Sequence, residues 1–184
     1  MNILKTFPLI TFSLLAFAEA KPLDEITLSF VGDIMLADGP GKTIDAGKDP
    51  LAEFEKYLKT ADYNLGNLEC AISTKRAADP EKPWSFRAHP KTVSVLKNKF
   101  HAVTVANNHS GDYGTDAFLE TMEVLKNADL KFFGGGKNLK EAHAPLIVDV
   151  KGIKIAFLGY NEFKPRSFEA GPEWPGIAWS EDDQ

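Results

Sequence analysis

The sequence predicts an α/β layered domain with a partly parallel sheet. Short apolar, β-branched runs alternate with segments of helical periodicity. Three of those runs stop abruptly on polar residues, at Gly32-Asp33, Asn67-Leu68-Glu69 and Asn107-Asn108-His109. In open α/β sheets ligands bind outside the carboxyl ends of the strands, so these ends are where chemistry is expected. At 184 residues, 43% hydrophobic and 26% charged, the chain fits one globular domain with a core that needs no disulfide staple. The single cysteine, Cys70, is then expected to be a small buried thiol.

The amino terminus reads as an export signal. Lys5 precedes an apolar run from Phe7 to Ala18, and Ala18-Glu19-Ala20 supplies the small residues a signal peptidase accepts. Residues 1–20 are expected to be removed after Ala20, leaving a domain over 21–184 that is periplasmic, envelope-bound or secreted. The run is too short to cross a hydrocarbon core about 30 Å thick, and no other segment is long enough to span one. The peptide carries one charge of each sign, so the mature formal charge stays at -5, with scattered lysines, which argues against nucleic acid as a partner.

Ile26 to Val31 ("ITLSFV") has the β-branched and aromatic content of a buried strand. Leu51, Phe54 and Leu58 sit at helical spacing, with Pro50 suited to a first turn. Tyr63 to Leu68 ("YNLGNL") is a second strand, and Ala77 to Pro83 a surface loop. Pro90 to Lys99 reads as a short helix, Ala102 to Ala106 as a third strand, and Thr115 as the cap of a helix ending near Ala128. Lys131 to Phe133 is a brief strand closed by Gly134-Gly135-Gly136. Leu146 to Val150, the turn Lys151-Gly152 and Ile153 to Tyr160 make a hairpin.

The three strand ends deliver Asp33, Glu69, and Asn108 with His109. Carboxylates, an amide oxygen and an imidazole are the set a divalent cation wants. Each residue also has a plain structural use. Asp33 can cap a turn, Glu69 can be solvated, Asn107 and Asn108 can close Asx turns, and His109 can be a satisfied core or surface histidine. Their convergence favours a shared site. Other motifs carry less. Gly134-Gly135-Gly136-Lys137 lacks the spacing and the hydroxyl of a phosphate loop and reads as a glycine-rich turn. Asn108-His109-Ser110 fits the glycosylation pattern but conflicts with a buried site. Trp84, Phe86 and Arg87 either frame a pocket or simply pack.

The segments "FVGDIML", "NLGNLE", "FRAHP", "VANNHSGDYG", "FFGGGKNLKEAHAP" and "IKIAFLGYNEF" occur in the order seen in the poly-gamma-glutamate capsule synthesis (CapA-like) proteins. From about Ile26 to Phe163 the chain resembles that family, which is related in fold to the calcineurin-like metallophosphoesterases. The resemblance implies a layered α/β sandwich of metallophosphoesterase type, of which this chain supplies the N-terminal part. It implies a two-metal site of unspecified divalent ions, with Asp33 on one ion, Glu69 as a bridge and Asn108 on the second. His109 would then protonate a leaving atom or steady the transition state. Two metals polarise a substrate and lower a bound water's pKa from ~15.7 toward ~7.

Two features depart from the metallophosphoesterase pattern. Met35 stands where a histidine follows the first aspartate by two, and a thioether does not serve a hard cation. His89, His101, His109 and His143 are unpaired in sequence, so a Gly-His-x-His-like segment is lacking. The expected function is a role in biosynthesis of a poly-gamma-glutamate surface polymer, as a metal-dependent hydrolase or transferase on a phosphoester or amide-linked acidic polymer. A non-catalytic assembly or export component and an inactive shortened relative are the alternatives.

Overall fold

The structure is a computed structural model and describes residues 25–75, 82–163 and 166–181. The proposed signal peptide lies outside them, as does most of the loop after Ala77. Along the chain run β1 (Leu28–Ile34), α1 (Asp38–Asp45), a 3-10 turn (Ala52–Phe54) leading into α2 (Glu55–Leu58), β2 (Tyr63–Leu68), β3 (Ala71–Ile72) and β4 (Arg87–Ala88). A second 3-10 turn (Pro90–Val95) precedes β5 (Ala102–Thr104), α3 (Gly114–Asn127), β6 (Lys131–Phe133), β7 (Gly135–Gly136) and α4 (Leu139–Ala142). β8 (Leu146–Val150), β9 (Ile153–Phe157) and β10 (Gly176–Ile177) complete the order.

The expected α/β layering is present. β1, β2, β5 and β6 form one sheet in the order β1-β2-β5-β6, with every neighbouring pair parallel. Side chains alternate across it. Leu68, Val103 and Val105 enter a core completed by Phe118 and Leu125 of α3, whereas Leu65 and Ala102 join Val148, Val150 and Phe157 of the β8–β9 hairpin. Helix on one face and hairpin on the other bury both sides of β2 and β5, as a parallel sheet requires, whereas the edge strand β1, expected to be buried, is so only at Ile34. The hairpin turn holds Lys151 and Gly152 at φ 52° and 83°, the left-handed pair of a two-residue turn whose twist matches its strands.

Several sequence expectations are corrected. The first strand begins two residues later than expected and runs through Gly32-Asp33 to Ile34. It does so by a bulge: Phe30 pairs with Leu65 but Asp33 with Asn67, three residues on β1 against two on β2. The extra residue resets side-chain parity and puts Asp33 in register with Asn67. Of the expected helices, that at 51–58 is a 3-10 turn running into the single α-helical turn of α2, and that at 90–99 is a 3-10 turn over Pro90–Val95. Helix α3 starts at Gly114 behind Tyr113, with no side-chain cap, so Thr115 lies inside it. The third strand stops at Thr104 and the hairpin's second at Phe157, both earlier than expected.

The glycine run is a strand as well as a turn. Gly134 turns the chain at φ 80°, but Gly135 and Gly136 pair antiparallel with β10. A Cβ at Gly136 would lie 2.4 Å from Glu141 Cβ, so a side chain there is excluded by packing.

Cys70 is buried, 2% exposed, and its sulfur accepts the Leu36 N–H at 3.4 Å. Burial pushes the thiol pKa up to about 12. The native protein is therefore expected to resist a thiol-disulfide reagent at pH 8 and to react at once in denaturant. Equal rates in both conditions would contradict the burial.

Candidate active site

Three parallel strands end side by side, and their polar ends form one hydrogen-bonded cluster. On β1 the bulge brings Asp33 to Asn67, whose Nδ2 donates to Asp33 Oδ1 at 2.8 Å. The same Nδ2 donates to Glu69 Oε2 at 2.5 Å. One amide group thus serves both carboxylates.

The orientation of that amide follows from main-chain groups one strand away. Asn107, buried after β5, donates through Nδ2 to the Leu68 carbonyl at 2.8 Å, and its Oδ1 accepts the His109 N–H at 3.0 Å. A carbonyl only accepts and a backbone N–H only donates, so the Asn107 amide has one permitted orientation. Its Nδ2 then donates to Asn67 Oδ1 at 2.9 Å, which leaves Asn67 its nitrogen for the two acids. Asn107 plays the Asx-turn role weighed from sequence and orders its neighbour as well.

His109 stands on the other side of Glu69. Its Nδ1 lies 2.8 Å from Asp112 Oδ2, and its Nε2 3.8 Å from Glu69 Oε1. A carboxylate oxygen accepts, so Nδ1 carries hydrogen and Nε2 is the nitrogen that gains or loses a proton. Phe86 packs on the imidazole at 4.5 Å between ring centroids. Asp112 is 1% exposed and also accepts from the Phe86 N–H at 2.7 Å and from the Lys82 ammonium, which meets its charge. Lys82 Nζ donates in addition to the Asn108 carbonyl at 2.6 Å.

The structure therefore brings Asp33, Glu69 and His109 together. Asn108 joins through its backbone carbonyl. Ser110, third residue of the glycosylation pattern, is buried with its hydroxyl on the Val105 carbonyl at 2.5 Å. Of the residues expected to frame a pocket, Phe86 walls the site, Arg87 lies over the Tyr113 ring at 4.4 Å, and Trp84 is exposed. Sequence reasoning missed Asn67, Asp112 and Lys82. Asp112 had a signal in its spacing of three from His109, and Asn67 in lying at the polar end of β2, two residues from Glu69. Lys82, in a loop, had none.

Burial and then the Asp33 charge push the Glu69 pKa up, while His109 and the Asn67 amide pull against them. Among the described residues no group of three or more His, Cys, Asp or Glu side chains is placed to hold a metal ion. The donor chemistry suits a hard cation all the same. Asp33 and Glu69 supply carboxylate oxygens, and Asn67 fixes them by hydrogen bonds as outer partners of metal ligands do.

Residues 27–183 match the profile of the bacterial capsule synthesis protein family, PGA_cap. The chain belongs to that family. It is 30% identical over 159 residues to the capsule biosynthesis protein CapA of Bacillus anthracis, covering 83% of this chain and 39% of the relative. It is also 30% identical over 159 residues to the PGA biosynthesis protein CapA of Bacillus subtilis, covering 84% and 42%. The chain thus spans about two fifths of the length of these relatives. The family resemblance read from the sequence holds, and with it the metallophosphoesterase-like α/β class.

Two outcomes are expected. Because its folded pKa is raised, ionised Glu69 costs stability, a cost absent below the ordinary carboxyl pKa of ~4.3 and complete above the folded value. The melting temperature of Glu69→Gln should therefore exceed wild type at pH 7, and the gain should vanish near pH 4; a gain independent of pH would contradict the raised pKa. Lys82→Met leaves Asp112 buried without its cation and should lose about 3 kcal/mol or more in urea unfolding. A loss under about 0.5 kcal/mol, typical of an exposed pair, would refute that pairing.

Proposed function

We propose that this chain carries the reactive centre of a protein that acts in synthesis of an anionic, polyglutamate-type surface polymer, as a metal-dependent hydrolase or transferase. One observation carries the reading: three strand ends place Asp33, Glu69 and His109 in a single hydrogen-bonded cluster. The names of the relatives supply the polymer class.

In this reading Asp33 and Glu69, with Asn108 at the next strand end, hold a divalent cation, and Asn67 orients the two carboxylates. The cation would act as a Lewis acid on the scissile bond. His109 moves a proton at Nε2, held in that tautomer by Asp112 at Nδ1. Phe86 shields the imidazole from water on one face. Because the protein is net negative, the cation also offsets repulsion of an acidic substrate. Export to the envelope, where such a polymer lies, belongs to the same proposal.

A second reading, a non-catalytic assembly component, draws on the lack of a three-ligand group among the described residues. Both are tested together. Calorimetric titration of the full chain with Mg²⁺, Mn²⁺ and Zn²⁺ should show binding that Asp33→Ala or Glu69→Ala weakens by roughly tenfold or more, as loss of a ligand requires. In the producing cell, His109→Ala should lower envelope polymer while leaving the protein folded. Metal binding indifferent to both carboxylates removes the metal. Undiminished polymer with His109→Ala removes the catalytic role and leaves assembly.

A further inference from the structure

At the opposite end of the sheet, where the parallel strands begin, lies a cavity of about 310 Å³ whose walls include Tyr63, Lys97, Asn98, His101, Asp129 and Lys131. The topology builds it. Asn98 and Asp129, at φ 67° and 57°, turn the chain from the preceding helical segments into β5 and β6. Those strands are parallel neighbours, so the two turns and their lysines share one rim. A second cavity of about 340 Å³ adjoins it through Asp129, Leu130 and Lys131 and adds Lys126, whose ammonium sits 5.7 Å from the Phe132 ring centroid.

The polar lining is biased toward donors. His101 stacks on Tyr63 at 4.6 Å, and its Nδ1 accepts the Asn64 N–H at 2.9 Å. An Nδ1 used as acceptor leaves hydrogen on Nε2, so the ring presents a donor as its remaining polar valence. Burial, and then Lys131, lower the His101 pKa, in keeping with that neutral tautomer. Lys97, Lys126 and Lys131 make no ion pair among the described residues, and Asp129 is the single acidic side chain on either wall. Tyr63 is buried with a hydroxyl that no described group pairs. Three cations and a fixed imidazole N–H against one carboxylate describe a surface that accepts anions, on a protein whose net charge of -5 would otherwise repel them.

We propose that these adjoining cavities form a holding site for the carboxylates of an acidic polymer chain, separate from the Asp33–His109 centre. The identity of the polymer rests on the function proposed above; the preference for an oligomeric carboxylate rests on the lysines spread over two joined cavities. Such a site grips the chain at one end of the sheet while chemistry proceeds at the other.

The test uses the full chain, ¹⁵N-labelled, at low salt, titrated with a poly-γ-glutamate oligomer, inorganic phosphate or an uncharged polyglutamine peptide. The oligomer should shift the amides of Lys97, Asn98, His101 and Lys131, and the effect should fade at high salt. Lys97→Gln/Lys131→Gln, with an otherwise unchanged spectrum, should weaken binding by roughly tenfold, the loss of two screened charge contacts. The uncharged peptide should not bind. Unchanged affinity in the double variant, or shifts confined to the residues around Asp33 and His109, overturns the proposal. Phosphate binding as tight as that of the oligomer overturns the polymer assignment. If His109→Ala leaves polymer synthesis intact while the lysine variant still loses the oligomer, the catalytic reading fails and this one stands.

Discussion

Two carboxylates at adjacent strand ends repel one another, and in this protein one amide nitrogen holds them together. Asn67 Nδ2 serves Asp33 and Glu69 at once, and it points at them because Asn107 occupies the other end of the same amide. Asn107 is itself fixed by the Leu68 carbonyl and the His109 N–H. The chain of constraint runs from backbone to amide to acid pair. Backbone groups are positioned by the sheet, so the acids inherit the rigidity of β2 and β5.

Burial across the cluster is graded, and the gradient assigns roles. Asp112 is closed off against Lys82, the Phe86 N–H and the His109 ring. A carboxylate so enclosed orients the imidazole. Glu69 is half-buried, and desolvation, then the Asp33 charge, push its pKa up. Asp33 is exposed, on the side open to solvent. The cluster therefore lies between a sealed wall and solvent.

Alternation of apolar runs with helical spacing was enough to read the layered class, because core-facing periodicity is local information. Strand ends were legible as well, since Asp33, Glu69 and His109 each break an apolar run. The short helices were legible only in part. Leu51, Phe54 and Leu58 satisfy a helical period over a stretch that closes one 3-10 turn and one α-helical turn and propagates no further. Gly135 and Gly136 looked like turn residues because composition says nothing of a partner strand forty residues on, and β10 supplies that partner. The β1 bulge was equally invisible: register is a relation between two strands, and only β2 reveals that one residue is extra.

The sequence by itself determined the fold class, the order of the polar strand ends, the family and the chemical types gathered at the site. Those follow from side-chain identity and spacing along one strand or helix. Tertiary structure alone decided that Asn67 is the common donor, that Lys82 stands behind Asp112, and that three lysines beside two turns rim one end of the sheet. Asn67 with Asp33 and Asn107, and Lys82 with Asp112, are contacts between residues roughly 30 or more positions apart, and such contacts exist only after the sheet has closed.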